Sequence, residues 1–113
     1  MNIIIPSYKR SHDLKGKDYF FMAKYCVPES QYNDYLKVLP KDRIITLPDD
    51  QDGDIVKKRN WILKNIQMPL IMIDDDVEKI NYFQSDNNKA ISIELDKSKV
   101  LEFFINSFNL CDE

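Results

Sequence analysis

The sequence feature that most restricts the fold is a short apolar run, Leu70-Ile71-Met72-Ile73, that leads straight into three aspartates, Asp74-Asp75-Asp76. A continuous apolar run of this length is typical of a strand buried on both faces of a parallel sheet. Three neighbouring carboxylates repel one another, and a bound cation would offset that repulsion. A solvated acidic loop that closes a buried strand is the alternative interpretation.

The geometry of an extended backbone gives the three aspartates different directions. Alternate residues point the same way, so Asp74 and Asp76 are placed to share one ion while Asp75 faces elsewhere. Their hard oxygen ligands favour Mg²⁺ or Mn²⁺ over zinc. We therefore predict a divalent-metal site at Asp74 and Asp76, and metal-assisted phosphate chemistry.

Composition limits the size and class of the protein. The chain has 113 residues, 43% of them hydrophobic, and its 16 basic and 19 acidic side chains leave a formal net charge of −3. That length predicts one domain over residues 1–113, and the small acidic excess argues against general electrostatic binding to nucleic acid. The sequence has no signal-peptide pattern, no apolar run of membrane-spanning length and no cysteine framework. We expect a cytoplasmic protein that does not bind membranes.

Strand-like and helix-like segments alternate along the chain. Strands are predicted over residues 3–5, 23–27, 43–47 and 70–73. Helices are predicted over 31–39, capped by Ser30, over 55–66, capped by Asp54, and after Asp96 or Ser98, with Val100, Phe103, Phe104 and Phe108. A hairpin over 79–83 and 90–95, with its turn at 85–88, precedes the last helix. The pattern predicts an α/β domain with a mainly parallel, Rossmann-like sheet, whose ligands bind beyond the carboxyl ends of the strands.

Arg59 is the second indication of a site. Apolar positions 55, 56, 62, 63 and 66 form one helical stripe, with Arg59 in its middle, Asn60 at its edge and Trp61 on the opposite side. A charge on such a face needs an anionic partner, since an unpaired buried charge is costly. The aspartate triplet and a diphosphate are equally good partners, and a snorkelling side chain is the third interpretation.

Two loops carry the remaining candidate residues. The first strand is followed by Pro6-Ser7-Tyr8-Lys9-Arg10, a combination suited to a nucleotide, with Tyr8 stacking on the base and Arg10 reaching a phosphate. His12, just beyond, is expected to be a surface histidine. The acidic loop over 49–54 either caps the next helix or binds ribose hydroxyls or the base, and we assign that binding role to Asp50.

Together these residues resemble a GT-A fold glycosyltransferase that uses a nucleoside-diphosphate sugar. The nucleotide-binding loop of that class corresponds to residues 3–10, its Arg-Asn pair to Arg59-Asn60 and its Asp-x-Asp metal motif to Asp74-Asp75-Asp76. The Pro-Ser-Tyr-Lys-Arg start, the Asn-Trp-Ile segment and the triple aspartate further resemble the TET-associated glycosyltransferases of phage genomes, which are linked to glycosylation of hydroxylated DNA bases. The resemblance covers roughly residues 1–85.

The resemblance implies transfer of a sugar from a nucleoside diphosphate to an acceptor hydroxyl, with a hydroxylated base in phage DNA as the candidate acceptor. Mn²⁺ or Mg²⁺, held by Asp74 and Asp76, would bridge the donor phosphates and stabilise the leaving group. The donor itself would be bound by Pro6, Ser7, Tyr8, Arg10, Asp50, Arg59, Asn60 and Asp75. No residue is identified as the catalytic base.

The length of the chain qualifies this interpretation. GT-A enzymes are usually about twice as long, so we expect an incomplete GT-A domain that matches the donor-binding half, with activity of the chain alone in doubt. Self-association would be one way to cover the apolar surface thus exposed. The alternative function is a non-catalytic nucleotide-binding or assembly module. A haloacid-dehalogenase-type phosphatase is disfavoured, because Glu78 stands where that class needs Thr or Val.

Overall fold

Four short parallel strands form the sheet. In a computed structural model that describes residues 2–87 and 89–111, without the side chains of 82–86, 91 and 107–111, these strands are β1 Asn2–Pro6, β2 Lys24–Pro28, β3 Ile44–Leu47 and β4 Leu70–Met72. The strand order is β3-β2-β1-β4, and every neighbouring pair is parallel. Helix α1, Tyr32–Leu36, connects β2 to β3, and helix α2, Ile55–Asn65, connects β3 to β4. The predicted α/β class with a mainly parallel sheet is confirmed.

The C-terminal part also has the predicted form. Strands β5, Asn81–Asp86, and β6, Lys89–Glu94, pair in an antiparallel hairpin. Helix α3, Val100–Cys111, follows a short 3₁₀ turn whose cap is Asp96, because its carboxylate accepts from the backbone N–H of Ser98. The predicted turn residue Asn88 and the side chain of Phe108 lie outside the described residues. Of the helices described, none has the length and apolar character needed to cross a membrane.

Both faces of the sheet are covered, which explains why its strands are continuously apolar. Alternation along β1 and β2 sends Ile3, Ile5, Tyr25 and Val27 to one face and Ile4 and Cys26 to the other. The first face packs against side chains of the β1–β2 connection, α1 and α3, namely Phe20, Ala23, Tyr35, Val100 and Phe104. The second face packs against Ile62 of α2, with Trp61 and Ile66 beside it. The carboxyl ends of the strands remain open at one edge of these layers.

Helix α1 is shorter than predicted, and Ser30 does not cap it. Ser30 lies in a 3₁₀ turn that precedes the helix, and its backbone N–H donates to the Asp49 carboxylate at 3.1 Å. The residue before α1 is Gln31, which makes no capping bond. Its side chain is buried and accepts instead from the backbone N–H of Lys9 at 2.7 Å. A tertiary contact therefore takes the place of the local cap.

Helix α2 has nearly the predicted bounds, and Asp54 caps it by accepting from the N–H of Val56 at 2.8 Å. The predicted apolar stripe is wrong, however, because Ile55, Val56 and Leu63 are exposed. The inward face instead carries Lys58, Trp61, Ile62 and Ile66. Partial burial of the large indole, together with a buried anionic partner for the lysine, favours this rotation of the helix.

The long connection between β1 and β2, residues 7–23, has turns but no regular element. Arg43, just before β3, binds three of its carbonyl oxygens, those of Lys17, Phe20 and Ala23, at 2.9–3.1 Å. Gly16 lies at the tightest point of the connection. It has φ +73°, and a Cβ there would lie 2.5 Å from the carbonyl oxygen of Val77 and 2.9 Å from the Phe20 ring.

We predict that Gly16→Ala destabilises the protein more than Gly53→Ala. Gly53 also has a positive φ, +96°, but a Cβ there would meet nothing within 4 Å. Gly53→Ala should therefore lower the free energy of unfolding only by left-handed strain, about 1–2 kcal/mol. Gly16→Ala should add an overpacking cost of about 1–3 kcal/mol. Urea unfolding of both variants tests this, and equal losses would contradict the close approach at Gly16.

Candidate functional site

The candidate site lies where the strand order reverses. Strands β2 and β3 lie on one side of β1 and β4 lies on the other, so the crevice between the carboxyl ends of β1 and β4 is the topological switch point at which open α/β sheets bind ligands. Ser7 follows β1 and Asp75 lies shortly after β4. The Ser7 hydroxyl donates to Asp75 Oδ2 at 3.2 Å, which joins the two strand ends directly.

A cavity of about 440 Å³ opens at this point, a volume suited to a small-molecule ligand. Its walls come from the loop after β1, the start of α2 and the turn after β4, and are lined by Pro6, Ser7, Tyr8, Arg10, Asp52, Gly53, Asp54, Ile55, Lys58 and Asp75. The structure thus brings together five of the predicted donor-binding residues, Pro6, Ser7, Tyr8, Arg10 and Asp75. Tyr8 is half exposed, and Lys9 Nζ lies 5.3 Å from the centroid of its ring.

Lys58 connects the walls of the cavity. Its Nζ lies 3.0 Å from Asp52 Oδ1 and donates to the carbonyl oxygen of Ser7 at 2.6 Å. The two side chains are only 4% and 8% exposed, so this is a buried ion pair with an additional hydrogen bond. One ammonium group therefore connects α2, the loop before it and the loop after β1.

Sequence reasoning missed both Lys58 and Asp52. Lys58 precedes Trp61, Ile62 and Ile66 by three, four and eight positions, so an inward face centred on Trp61 would have included it. In the acidic loop we chose Asp50, which is exposed in the 3₁₀ turn Asp49–Gln51. The carboxylate that turns inward is Asp52.

The loop after β1 is held by two buried side chains from the segment 31–35. Gln31 binds the backbone N–H of Lys9, as described above, and the Tyr35 hydroxyl accepts from the N–H of Arg10 at 3.1 Å. The same Tyr35 hydroxyl lies 2.6 Å from the Ser7 hydroxyl. Burial raises the pKa of Tyr35, so its hydroxyl keeps its proton at neutral pH. Lys9 adopts φ +54°, a conformation uncommon outside glycine.

The aspartate triplet does not continue β4. The strand ends at Met72, and Asp75 and Asp76 lie in a turn, so the alternation of an extended backbone does not apply to them. This turn directs Asp75, which the family resemblance assigned to the donor, into the cavity beside Ser7. Asp74 and Asp76 are exposed. Their assignment as metal ligands stays a prediction.

Arg59 contacts the triplet, one of the two partners that the sequence left open. Its Nη2 lies 3.0 Å from Asp74 Oδ1, with 47% and 64% of the two side chains exposed, so the pair contributes little to stability. Both residues line a second cavity of about 620 Å³ beyond β4, together with Ile71, Ile73 and Phe104. The predicted site residues thus divide between two cavities, while Asp50, Asn60 and Asp76 line neither.

The residues present fit a metal that is completed by its ligand. Within the described part of the chain, no three His, Cys, Asp or Glu side chains converge as a metal-binding group. Mg²⁺ in phosphate-processing proteins is typically held by one or two carboxylates together with substrate phosphates. Asp75 in the cavity, with Asp74 and Asp76 adjacent, supplies hard oxygen donors of that kind.

Two other ionisable groups do not line the cavity. His12 is exposed, as predicted. Cys26 is buried in the second core, and burial raises the pKa of its thiol to about 11. A thiol with that pKa is almost fully protonated at neutral pH, and it is therefore a poor nucleophile.

We predict that Lys58→Met lowers the free energy of unfolding by roughly 3–5 kcal/mol, because it leaves the buried Asp52 carboxylate without its cation. Lys57→Met changes a neighbouring exposed lysine and should cost less than about 0.5 kcal/mol. The double variant Lys58→Met, Asp52→Asn should recover part of the loss. Urea unfolding provides the measurement, and equal effects of Lys57→Met and Lys58→Met would contradict the buried pair.

Comparison with protein families agrees with the resemblance seen in the motifs. The family model described as TET-Associated Glycosyltransferase matches residues 1–110. Searches of curated proteins and of solved structures found no match. Because the family match spans nearly the entire chain and includes every residue of the cavity, the protein belongs to the TET-associated glycosyltransferase family.

Proposed function

We propose that the protein binds a nucleoside-diphosphate sugar in the 440 Å³ cavity, together with a divalent metal, and transfers the sugar to an acceptor hydroxyl. The observation that carries this proposal is the inward position of Asp75, hydrogen-bonded to Ser7 at the switch point of the sheet. Membership of a glycosyltransferase family supports the reaction type. The position of Asp75 supports the choice of this cavity as the donor site.

The charges that line the cavity support the need for a metal. Arg10 and Lys58 face three carboxylates, those of Asp52, Asp54 and Asp75, and Lys58 is already paired with Asp52. A diphosphate entering this environment would meet net negative charge unless a cation entered with it. Bound Mn²⁺ or Mg²⁺ would supply charge stabilisation for the leaving nucleoside diphosphate. Asp75 would hold it from inside the cavity, and the prediction from sequence adds Asp74 and Asp76, which do not line the cavity.

The remaining cavity residues suit the organic part of the donor. The half-exposed Tyr8 ring offers a stacking surface for a base at the mouth of the cavity. Arg10, whose backbone is held by Tyr35, offers a guanidinium for a phosphate. The open space above Gly53 leaves room for a ligand to approach the backbone.

The proposed acceptor is a hydroxylated base in phage DNA, as the family resemblance implied. The formal charge of −3 does not favour general binding to DNA. We therefore propose that the acceptor is recognised as an exposed base close to the donor cavity. Such a base would be out of the duplex stack, as in other enzymes that modify bases.

We predict that nucleotide and metal bind cooperatively. Calorimetric titration with UDP, GDP, ADP, CDP and dTDP should show at least one that binds about tenfold or more tightly with Mn²⁺ than without it, because each supplies ligands that the other lacks. Mn²⁺ alone should bind weakly. If none of these nucleotides responds to Mn²⁺, the metal-dependent donor site is wrong.

Single carboxylate variants identify the ligand. Asp75→Asn should remove the effect of Mn²⁺ on the tightest-binding nucleotide of the panel, while Glu78→Gln should preserve it. Glu78 is exposed and pairs with Lys15 at 3.3 Å, so it controls for loss of one negative charge near the triplet. Asp74→Asn and Asp76→Asn test the metal assignment made from sequence. Full retention of the Mn²⁺ effect in all three aspartate variants would exclude the triplet as its source.

A non-catalytic nucleotide-binding or assembly module is the second candidate function. The observation that favours it is the apolar surface of α3, where Leu101 and Ile105 are about 40% exposed, a feature that suits self-association. Turnover distinguishes the two functions. Transfer of labelled sugar to DNA with hydroxymethylated bases would support the enzyme, whereas donor binding with self-association in light scattering and no turnover would support the module.

A further inference from the structure

A chain of hydrogen bonds runs from the backbone of the loop after β1 to Asp75. The N–H of Arg10 donates to the Tyr35 hydroxyl at 3.1 Å, that hydroxyl lies 2.6 Å from the Ser7 hydroxyl, and Ser7 donates to Asp75 Oδ2 at 3.2 Å. Tyr35 is fully buried and Ser7 is 2% exposed. The two hydroxyls are therefore shielded from the water that would otherwise compete for these bonds.

The chemistry of its two ends gives the chain a direction. A backbone N–H is only a donor, so Tyr35 accepts from Arg10. An ionised carboxylate is only an acceptor, so Ser7 uses its single proton to donate to Asp75. The bond between the two hydroxyls must then be donated by Tyr35 to Ser7. The Tyr35 hydroxyl thus donates its hydrogen bond to Ser7, and the Ser7 hydroxyl donates its hydrogen bond to Asp75.

The hydroxyl of Tyr35 is not needed to fill the core. Its ring belongs to the first core, which also contains Ile5, Val27 and Leu39, and a phenylalanine ring would occupy nearly the same volume. The bonds of the hydroxyl go to Ser7 and Arg10, both of which line the cavity. Tyr25 provides a contrast in the same core, because its buried hydroxyl has no hydrogen-bond partner within the described residues.

We propose that Tyr35 is a positioning residue of the donor site, which acts through Ser7 to hold the Asp75 carboxylate in one orientation toward the cavity. The inference rests on the proposed function for what Asp75 binds, and on geometry alone for what holds Asp75. Outer partners of this kind orient a metal-ligating carboxylate, and their loss typically reduces metal affinity or activity by roughly 10–100-fold. Tyr35 itself need not touch the donor.

The binding test compares Tyr35→Phe with Tyr25→Phe, which removes a buried hydroxyl from the same core but no hydrogen bond of the chain. Affinity for the tightest-binding nucleotide of the panel with Mn²⁺ should fall by about 10-fold or more in Tyr35→Phe and stay within twofold of wild type in Tyr25→Phe. In an Asp75→Asn background, Tyr35→Phe should have little further effect, because the group that it positions is gone. Equal fold-losses in both backgrounds would overturn the proposal.

A second readout does not depend on nucleotide binding. In the ligand-free protein, the carboxyl ¹³C resonance of Asp75, assigned by its absence in Asp75→Asn, should move further in Tyr35→Phe and in Ser7→Ala than in Tyr25→Phe, whose hydroxyl has only an electrostatic interaction with Asp75. An unchanged Asp75 resonance in both chain variants would overturn the proposal. If Tyr35→Phe does not fold, the Asp75 resonance is measured in Ser7→Ala alone. If the wild-type protein binds no nucleotide while the resonance moves as expected, the proposed function fails and the positioning of Asp75 stands.

Discussion

The buried ammonium of Lys58 is the contact on which the geometry of the site depends. Burial of a charged lysine has a large desolvation cost. The Asp52 carboxylate and the Ser7 carbonyl offset that cost because both bind the ammonium group. To reach them, α2 must turn Lys58 toward the sheet, which also brings Ile62 and Trp61 against the second core. The same orientation of the helix therefore places Lys58 in the cavity wall and Ile62 in the second core, and it is favoured by a polar contact as well as by apolar burial.

The ends of the sheet could be predicted because the strand signals were local and strong. The apolar runs ended by Pro6, Pro28 and the triplet are short and contain Ile or Val, which favours strands over helices. Helical segments between them favour a parallel sheet. The site residues Ser7, Tyr8 and Arg10 follow from that topology, because they stand just after a strand at its carboxyl end. The family resemblance depended in part on the same positions.

The orientation of single residues was harder to predict, for physical reasons that differ from case to case. The direction of Asp75 depends on where the backbone stops being extended, and the sequence does not mark that point within the run from Leu70 to Asp76. The burial of Lys58 depends on a carboxylate six positions away and on a carbonyl in another loop. A hydropathy pattern counts lysine as polar and therefore predicts that Lys58 lies on the solvent-exposed face of the helix. Gln31 was missed for a similar reason, since its partner is a backbone N–H more than twenty positions away.

The three bonds of Arg43 have a consequence for how the molecule holds together. The β1–β2 connection has no helix or strand, and three of its carbonyl groups accept hydrogen bonds from a guanidinium that stands just before β3. The order of residues 17–23 is therefore linked to the docking of a strand that comes about twenty residues later in the chain. We therefore expect the connection and this edge of the sheet to unfold locally as one cooperative unit. Lysine could not replace the arginine in this role, because a single ammonium lacks the planar fork that reaches several carbonyls at once.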